Sequence, residues 1–290
     1  MTEITHPQLV LLGLPRSGKS TFLGALWALV QSPMEPTVRE TRFSGDRTYI
    51  QDLAEQLARG EQLDRTVLDI DDGLAVELGF DHGGIADVMI PDSSGESLEL
   101  LIEQRRWHPR LLSACEGATA ALLFLHPERL TLPEPITAGA HRTDAYAPAG
   151  REEEDGVDFH PGEPVAFRAV EHQCTAASLI DAFENLDEVW RDQPIRLGVV
   201  VSAWDLVAGE PHLTPYEWLQ AWLPGLLATL EAGREPGEVE VFGVSAQGGP
   251  LEARDELLAR GEVYDRVFAE DRHGRAVSLT EPVRWAIWGE

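Results

Sequence analysis

The chain has 290 residues, 50 acidic side chains against 23 basic ones, and a formal net charge of −27. Neutralising phosphates needs clustered lysine and arginine, so this balance speaks against a nucleic-acid binder and against a protein held electrostatically on an anionic membrane. Cys115 and Cys174 are the two cysteines, without a CxxC or a Cys/His cluster at zinc spacing, which indicates neither a disulfide framework nor a structural metal.

With 43% hydrophobic and 25% charged residues the composition is that of a globular protein able to bury a full core. No basic-then-apolar leader is read, and no apolar run approaches the ~20 residues that span a bilayer. A soluble, cytoplasmic protein is expected. The 23 basic residues are 22 arginines and one lysine, Lys19. A codon bias toward arginine would replace any lysine needed only for charge, so Lys19 is expected where arginine cannot do the work.

In chain order, the apolar run Leu9-Val10-Leu11-Leu12 leads into Gly13-Leu14-Pro15-Arg16-Ser17-Gly18-Lys19-Ser20, followed by Thr21 and by Phe22, Leu23, Leu26, Trp27 and Val30 at helical spacing. This is strand, G-x-x-x-x-G-K-S loop, helix. The glycines let backbone N–H groups curl around a phosphate chain, the helix N-terminus faces the anion, and Lys19 is a compact charge for the β and γ phosphates. Ser20 is expected to ligate Mg2+.

Tyr49, Ile50, Leu53, Gln56 and Leu57 predict an inserted helix closed by Gly60, ahead of a strand near Val76 to Phe80. Gly83-Gly84 is a hairpin turn into the strand Ala86 to Ile90, which ends in Asp92-Ser93-Ser94-Gly95. A strand-end aspartate in phosphate-loop proteins holds magnesium through water, and a following glycine aims its N–H at the γ phosphate, so Asp92 and Gly95 are candidates. Further strands are expected over Ala118 to Leu125, Ile195 to Val201 and Val239 to Val244. The proline-rich, acidic stretch from Pro127 to about His172 reads as a loop insertion, either solvated and functionless or a partner-docking flap. Ala177 to Val189 predicts one amphipathic helix and Trp218 to Leu230 another. The nine histidines, His126 among them, read as surface or loop residues.

The order of these motifs resembles the Ras-like guanine-nucleotide hydrolases of the TRAFAC class. That family carries D-x-x-G, then [NT]-K-x-D, then S-A, each at the carboxyl end of a strand; here Asp92 to Gly95, Ser202-Ala203-Trp204-Asp205 and Ser245-Ala246 stand in those places. With Thr21-Phe22-Leu23 after the loop, and Glu281-Pro282-Val283-Arg284-Trp285 near the end, the chain is also similar to bacterial GTPases of multi-component conflict and defence loci. The resemblance implies GTP and GDP as ligands, Mg2+ as cofactor, and a switch that orders or releases the segments around Thr66 and Asp92 to Glu96. It implies that Asp205 reads guanine N1 and N2, with Ser202 standing in for Asn or Thr. Ala203 replaces the lysine whose stem packs on the base, and Trp204 is a candidate to cover the base instead. Thr66 is chosen as the switch threonine and metal ligand, with Thr37, Thr41 and Thr48 as rivals. Glu96 stands where a water-positioning glutamine is usual; a carboxylate cannot donate to the γ phosphate, so slow hydrolysis is expected, and a cap on the next helix is the competing role. Arg16 replaces the asparagine that in some relatives holds potassium, and is read either as a charge on the departing phosphate or as an exposed loop arginine.

The expected fold is one α/β domain over 1–290, a P-loop three-layer sandwich with a central, mostly parallel sheet of about six strands and helices on both faces. The expected function is that of a magnesium-dependent GTPase switch working with protein partners in a multi-component system, with a homodimer left open. A non-hydrolysing scaffold and an ATPase or small-molecule kinase are the alternatives.

Overall fold

Strand β1 (Gln8–Gly13) is apolar at every position from Leu9 to Leu12, and its side chains divide between two cores. Leu9 and Leu11 pack on one side with helices, Val10 and Leu12 on the other, so β1 must sit inside a sheet covered on both faces. The computed structural model of the chain describes residues 6–33, 37–44, 47–63, 74–81, 83–90, 95–132, 173–193, 195–208 and 213–289.

The remaining strands are β2 (Val38–Ser44), β3 (Leu74–Phe80), β4 (Ile85–Ile90), β5 (Ala120–Leu125), β6 (Arg196–Ser202), β7 (Val239–Ser245), β8 (Phe268–Glu270) and β9 (Ala276–Val277). They form one sheet in the order β2-β3-β4-β1-β5-β6-β7-β8-β9. The pairs from β4 through β7 are parallel, while β2/β3, β3/β4, β7/β8 and β8/β9 are antiparallel. The expected hairpin through Gly83-Gly84 is the turn between β3 and β4. Among the described residues the sheet has nine strands, where about six were expected. The three additions have no apolar run: β2 is mostly exposed on the sheet edge, and β8 and β9 are three and two residues long.

One face carries α1 (Lys19–Val30), α2 (Arg47–Ala58), α9 (Val263–Arg266) and α10 (Glu281–Trp288); the other carries α3 (Glu96–Gln104), α4 (Pro109–Gly117), α5 (Thr175–Val189), α6 (Pro215–Trp222) and α7 (Pro224–Glu231). The short α8 (Arg254–Ala259) precedes α9. Three layers with a parallel core sheet make this a doubly wound α/β fold. The single helix expected over Trp218 to Leu230 is two: Pro224 has no N–H to donate and its ring crowds the carbonyl four residues back, so the chain restarts with Pro224 in the first turn of α7. The inserted helix is α2, and Gly60 follows it at φ +61.

The first residues of the expected insertion, and those just after it, lie within the described part of the chain. Pro127–Arg129 form a 3-10 turn, and Thr131 and Thr175 exchange two hydrogen bonds: the Thr131 N–H donates to Thr175 Oγ1 at 2.8 Å and the Thr175 N–H to the Thr131 carbonyl at 2.8 Å. The excursion therefore leaves and re-enters at one point; residues 133–172 lie outside the described residues. Among the described residues, no helix is long and apolar enough to cross a membrane.

Candidate functional site

The carboxyl ends of β1, β5, β6 and β7 meet along one sheet edge, and the candidate residues gather there because each follows a buried parallel strand. After β1 the loop Gly13 to Gly18 turns directly into α1, with Gly18 as N-cap in the left-handed region at φ +94. A Cβ at Gly18 would lie 2.7 Å from Ser202 Cβ, so glycine is required both by the backbone angle and by the approach of β6.

Lys19 is 3% exposed, and its Nζ donates to the Gly13 carbonyl at 2.7 Å and the Leu14 carbonyl at 3.1 Å, with Ser17 Oγ at 3.3 Å. The lone lysine thus brings a buried positive charge to the rim of the loop, held there by backbone oxygens. A lysine beside a helix N-terminus favours an anion, and the site fits a phosphate chain on this ground. Ser20 and Thr21, both half-buried, occupy the first turn of α1. Its place in the first turn of the helix makes Ser20 a residue that could hold a metal ion. Thr66 and Asp92, the other expected metal ligands, lie outside the described residues.

Pro15 is half-buried and Arg16 exposed at the crest of the loop, where Arg16 holds φ +62. Left-handed backbone in an arginine costs of order 1 kcal/mol and is retained where surrounding structure demands it. Gly95 is buried at φ +82, and a Cβ there would stand 2.5 Å from the Gly13 carbonyl and 2.7 Å from Pro15 N. The D-x-x-G glycine therefore lies against the start of the phosphate loop, although Gly95 and Gly13 are 82 positions apart in the sequence. Gly95, not Glu96, is the N-cap of α3; Glu96 is exposed in the first turn, where a carboxylate is favoured by the helix dipole.

At the end of β6 the Ser202 hydroxyl is buried and donates to the Ser17 carbonyl at 2.8 Å, with the Leu125 carbonyl at 3.1 Å as its second acceptor. Ala203 follows at φ +47. The idea that Trp204 covers a base is corrected: its ring is fully buried against Gly243, which has no Cβ to obstruct it, and its Nε1 donates to Glu270 Oε2 at 2.8 Å. An indole needs a large dry surface and one acceptor, and the β7/β8 end of the sheet supplies both. Asp205, half-buried, accepts from Ser245 Oγ at 2.5 Å, and the Gly248 N–H donates to that hydroxyl oxygen at 3.2 Å. Ala246 is buried next to it.

Two neighbours were not singled out by sequence. His126, read as a surface or loop residue, is half-buried at the end of β5, its Nδ1 accepting from the Glu128 N–H at 3.3 Å. Burial pushes its imidazole below the ordinary range, Arg129 acts in the same direction, and the charges of Glu128 and Asp205 oppose them. Its place directly after an apolar strand was the available signal. Gln247, after Ser245-Ala246, has a buried Nε2 with no hydrogen-bond partner among the described residues. A donor left unpaired at the end of β7 is one a ligand would satisfy.

A phosphate loop between β1 and α1, with polar strand ends converging beside it, places the chain in the class of P-loop nucleotide-binding proteins. Within that class, the chain belongs to the Double-GTPase 1 family, whose model matches residues 10–286. A search of curated proteins found no match. Among solved structures, a bacterial selenocysteine-specific elongation factor is 15% identical with a TM-score of 0.36, covering 89% of this chain and 28% of its own. The signal recognition particle receptor SRb-GTP/SRX complex from Chaetomium thermophilum is 13% identical with a TM-score of 0.41, covering 87% of this chain and 96% of the other. The chain thus spans little more than a quarter of the elongation factor.

Proposed function

We propose that this chain binds GTP with magnesium, hydrolyses it slowly and serves as a nucleotide-controlled switch for protein partners in a multi-component system. The observation that carries the base assignment is the Ser245–Asp205 hydrogen bond at the strand ends beside the phosphate loop. It fixes the carboxylate rotamer while leaving acceptor capacity on Asp205 for the two donors that guanine presents and adenine lacks. The Gln247 Nε2 supports a ligand at the same end of β7.

In this reading the loop N–H groups from Pro15's successor Arg16 through Ser20 bind the phosphate chain, and Lys19 places its charge on the β and γ phosphates. Magnesium, when bound, supplies a second positive charge between those phosphates. Ser20, with Thr66 and Asp92, would hold it. Gly95 would present its N–H toward the γ phosphate, and Glu96 would accept a hydrogen bond from the attacking water without being able to donate one. That asymmetry supports slow turnover. Arg16 would meet the charge that develops as the γ phosphate leaves. The working unit is taken as one domain over 1–290, with the excursion within 127–172 as its partner-facing insertion.

The test is a pair of affinities followed by phosphate release. GTP is expected to bind at least roughly 100-fold more tightly than ATP, and Asp205→Asn to erase that preference, because a site built to pair polar groups rejects a ligand that leaves them unpaired. Equal affinities in the unmutated chain would move the assignment to an ATPase or kinase, and GTP binding without phosphate release would leave a non-hydrolysing scaffold.

A further inference from the structure

Away from the phosphate loop, three metal-ligating side chains converge on the opposite half of the sheet. Glu77 on β3 and Asp87 on β4 are directly paired in the antiparallel register. Their strand neighbours Val76, Leu78, Ala86 and Val88 fill the core under α1, so by alternation both carboxylates stand on the other face. Two like charges opposite one another weaken a sheet unless a cation joins them. His6 is brought to the same place by backbone: the Asp87 N–H donates to the Pro7 carbonyl at 3.0 Å, and His6 Nδ1 lies 3.6 Å from Glu77 Oε2. One ligand atom from each of the three lies within 4.8 Å of the others. The second oxygen of Glu77, Oε1, accepts from the Thr41 hydroxyl at 2.6 Å, which orients the carboxylate with Oε2 turned toward His6.

We infer that His6, Glu77 and Asp87 form a binding site for one divalent transition-metal ion of the zinc class, with Thr41 as a supporting residue. An imidazole nitrogen with two carboxylate oxygens suits a borderline cation and not magnesium or calcium, which take all-oxygen shells. Bonds of ~2.1 Å hold neighbouring ligand atoms ~3.4 Å apart, so side-chain rotations of about 1 Å close the set, and solvent fills the remaining position. Arg42 on β2 stands opposite Glu77 in the register, and its charge also acts on Asp87. All three ligands are half-buried and two stand on regular strands, which gives the site a fixed frame. Asp87 pairs with Gln8 at the start of β1, so the ion would sit about 17 Å from the loop that follows Gly13, and it would pin the segment before β1 to the β3–β4 hairpin. The site is independent of the nucleotide reading.

The experiment uses the full chain without a histidine tag. Equilibrium dialysis against buffered Zn2+ should give one ion per chain, retained in millimolar Mg2+, and Co2+ in its place should show the visible absorption of a nitrogen- and oxygen-ligated ion. His6→Ala, Glu77→Gln and Asp87→Asn should each weaken Zn2+ at least tenfold, and Thr41→Val about tenfold, with GTP affinity unchanged in every variant. No bound Zn2+ and no Co2+ band in the unmutated chain would overturn the inference whatever the variants do. So would displacement by Mg2+, or the same Zn2+ affinity in all folded variants.

Discussion

Ser202 Oγ and the carbonyl of Ser17 are 2.8 Å apart, so the strand that leads to Asp205 is hydrogen-bonded directly to the phosphate loop. Ala203 leaves no side chain long enough to brace the loop from that strand, and Ser202 does so from one residue earlier. Ser202→Ala would leave the buried carbonyls of Ser17 and Leu125 without this donor, an effect of about 1 to 2 kcal/mol. Urea unfolding should show that loss, and triphosphate affinity should fall several-fold as the loop loosens. A variant with unchanged stability and affinity would show that the bond positions nothing.

Lys19 is buried among the Gly13, Leu14 and Ser17 oxygens, a space shaped for an ammonium. Lys19→Ala should abolish triphosphate binding, and Lys19→Arg should fail nearly as badly because a planar guanidinium is wider than the gap between those carbonyls. Titration of a fluorescent GTP analogue measures both. Retained affinity in the two variants would refute the phosphate-loop assignment.

Arg16 is exposed and held at φ +62, on the rim of the loop and not within it. Arg16→Ala should therefore cost little affinity while lowering turnover by about 10³-fold, the signature of a group that acts in the transition state. Hydrolysis by the unmutated chain should run equally fast in sodium and potassium. A strong potassium requirement, or normal turnover in Arg16→Ala, would count against this role. Specific activity independent of protein concentration would separately exclude an arginine reaching across a dimer.

Thr131 and Thr175 close the base of the excursion with two 2.8 Å hydrogen bonds. Replacing residues 133–172 by a short Gly/Ser bridge should leave folding and nucleotide affinity intact, since closing a shorter loop between joined ends costs little entropy. Binding of a partner protein should be lost. Circular dichroism and GTP titration report the first outcome; an unfolded deletion variant would show that the segment is part of the core.

The central sheet was legible in the chain because parallel strands buried on both faces are written as continuous apolar runs, and those runs are β1, β5, β6 and β7. The loop from Gly13 to Ser20 was legible for a related reason: its chemistry is local, with spacing set by backbone curvature and by one lysine among 23 basic residues. Polar edge strands such as β2 carry no such pattern, because half their surface faces water and their partners lie far along the chain. The direction of Trp204 was likewise decided by tertiary structure, through the space above Gly243 and the acceptor on Glu270, a residue 66 positions away. The meeting of Gly95 with Gly13 and of His6 with Glu77 and Asp87 has the same origin. Sequence determined which local segments fold and which residue types they carry; strand order and register, which depend on contacts between distant segments, decided which of those side chains share a site.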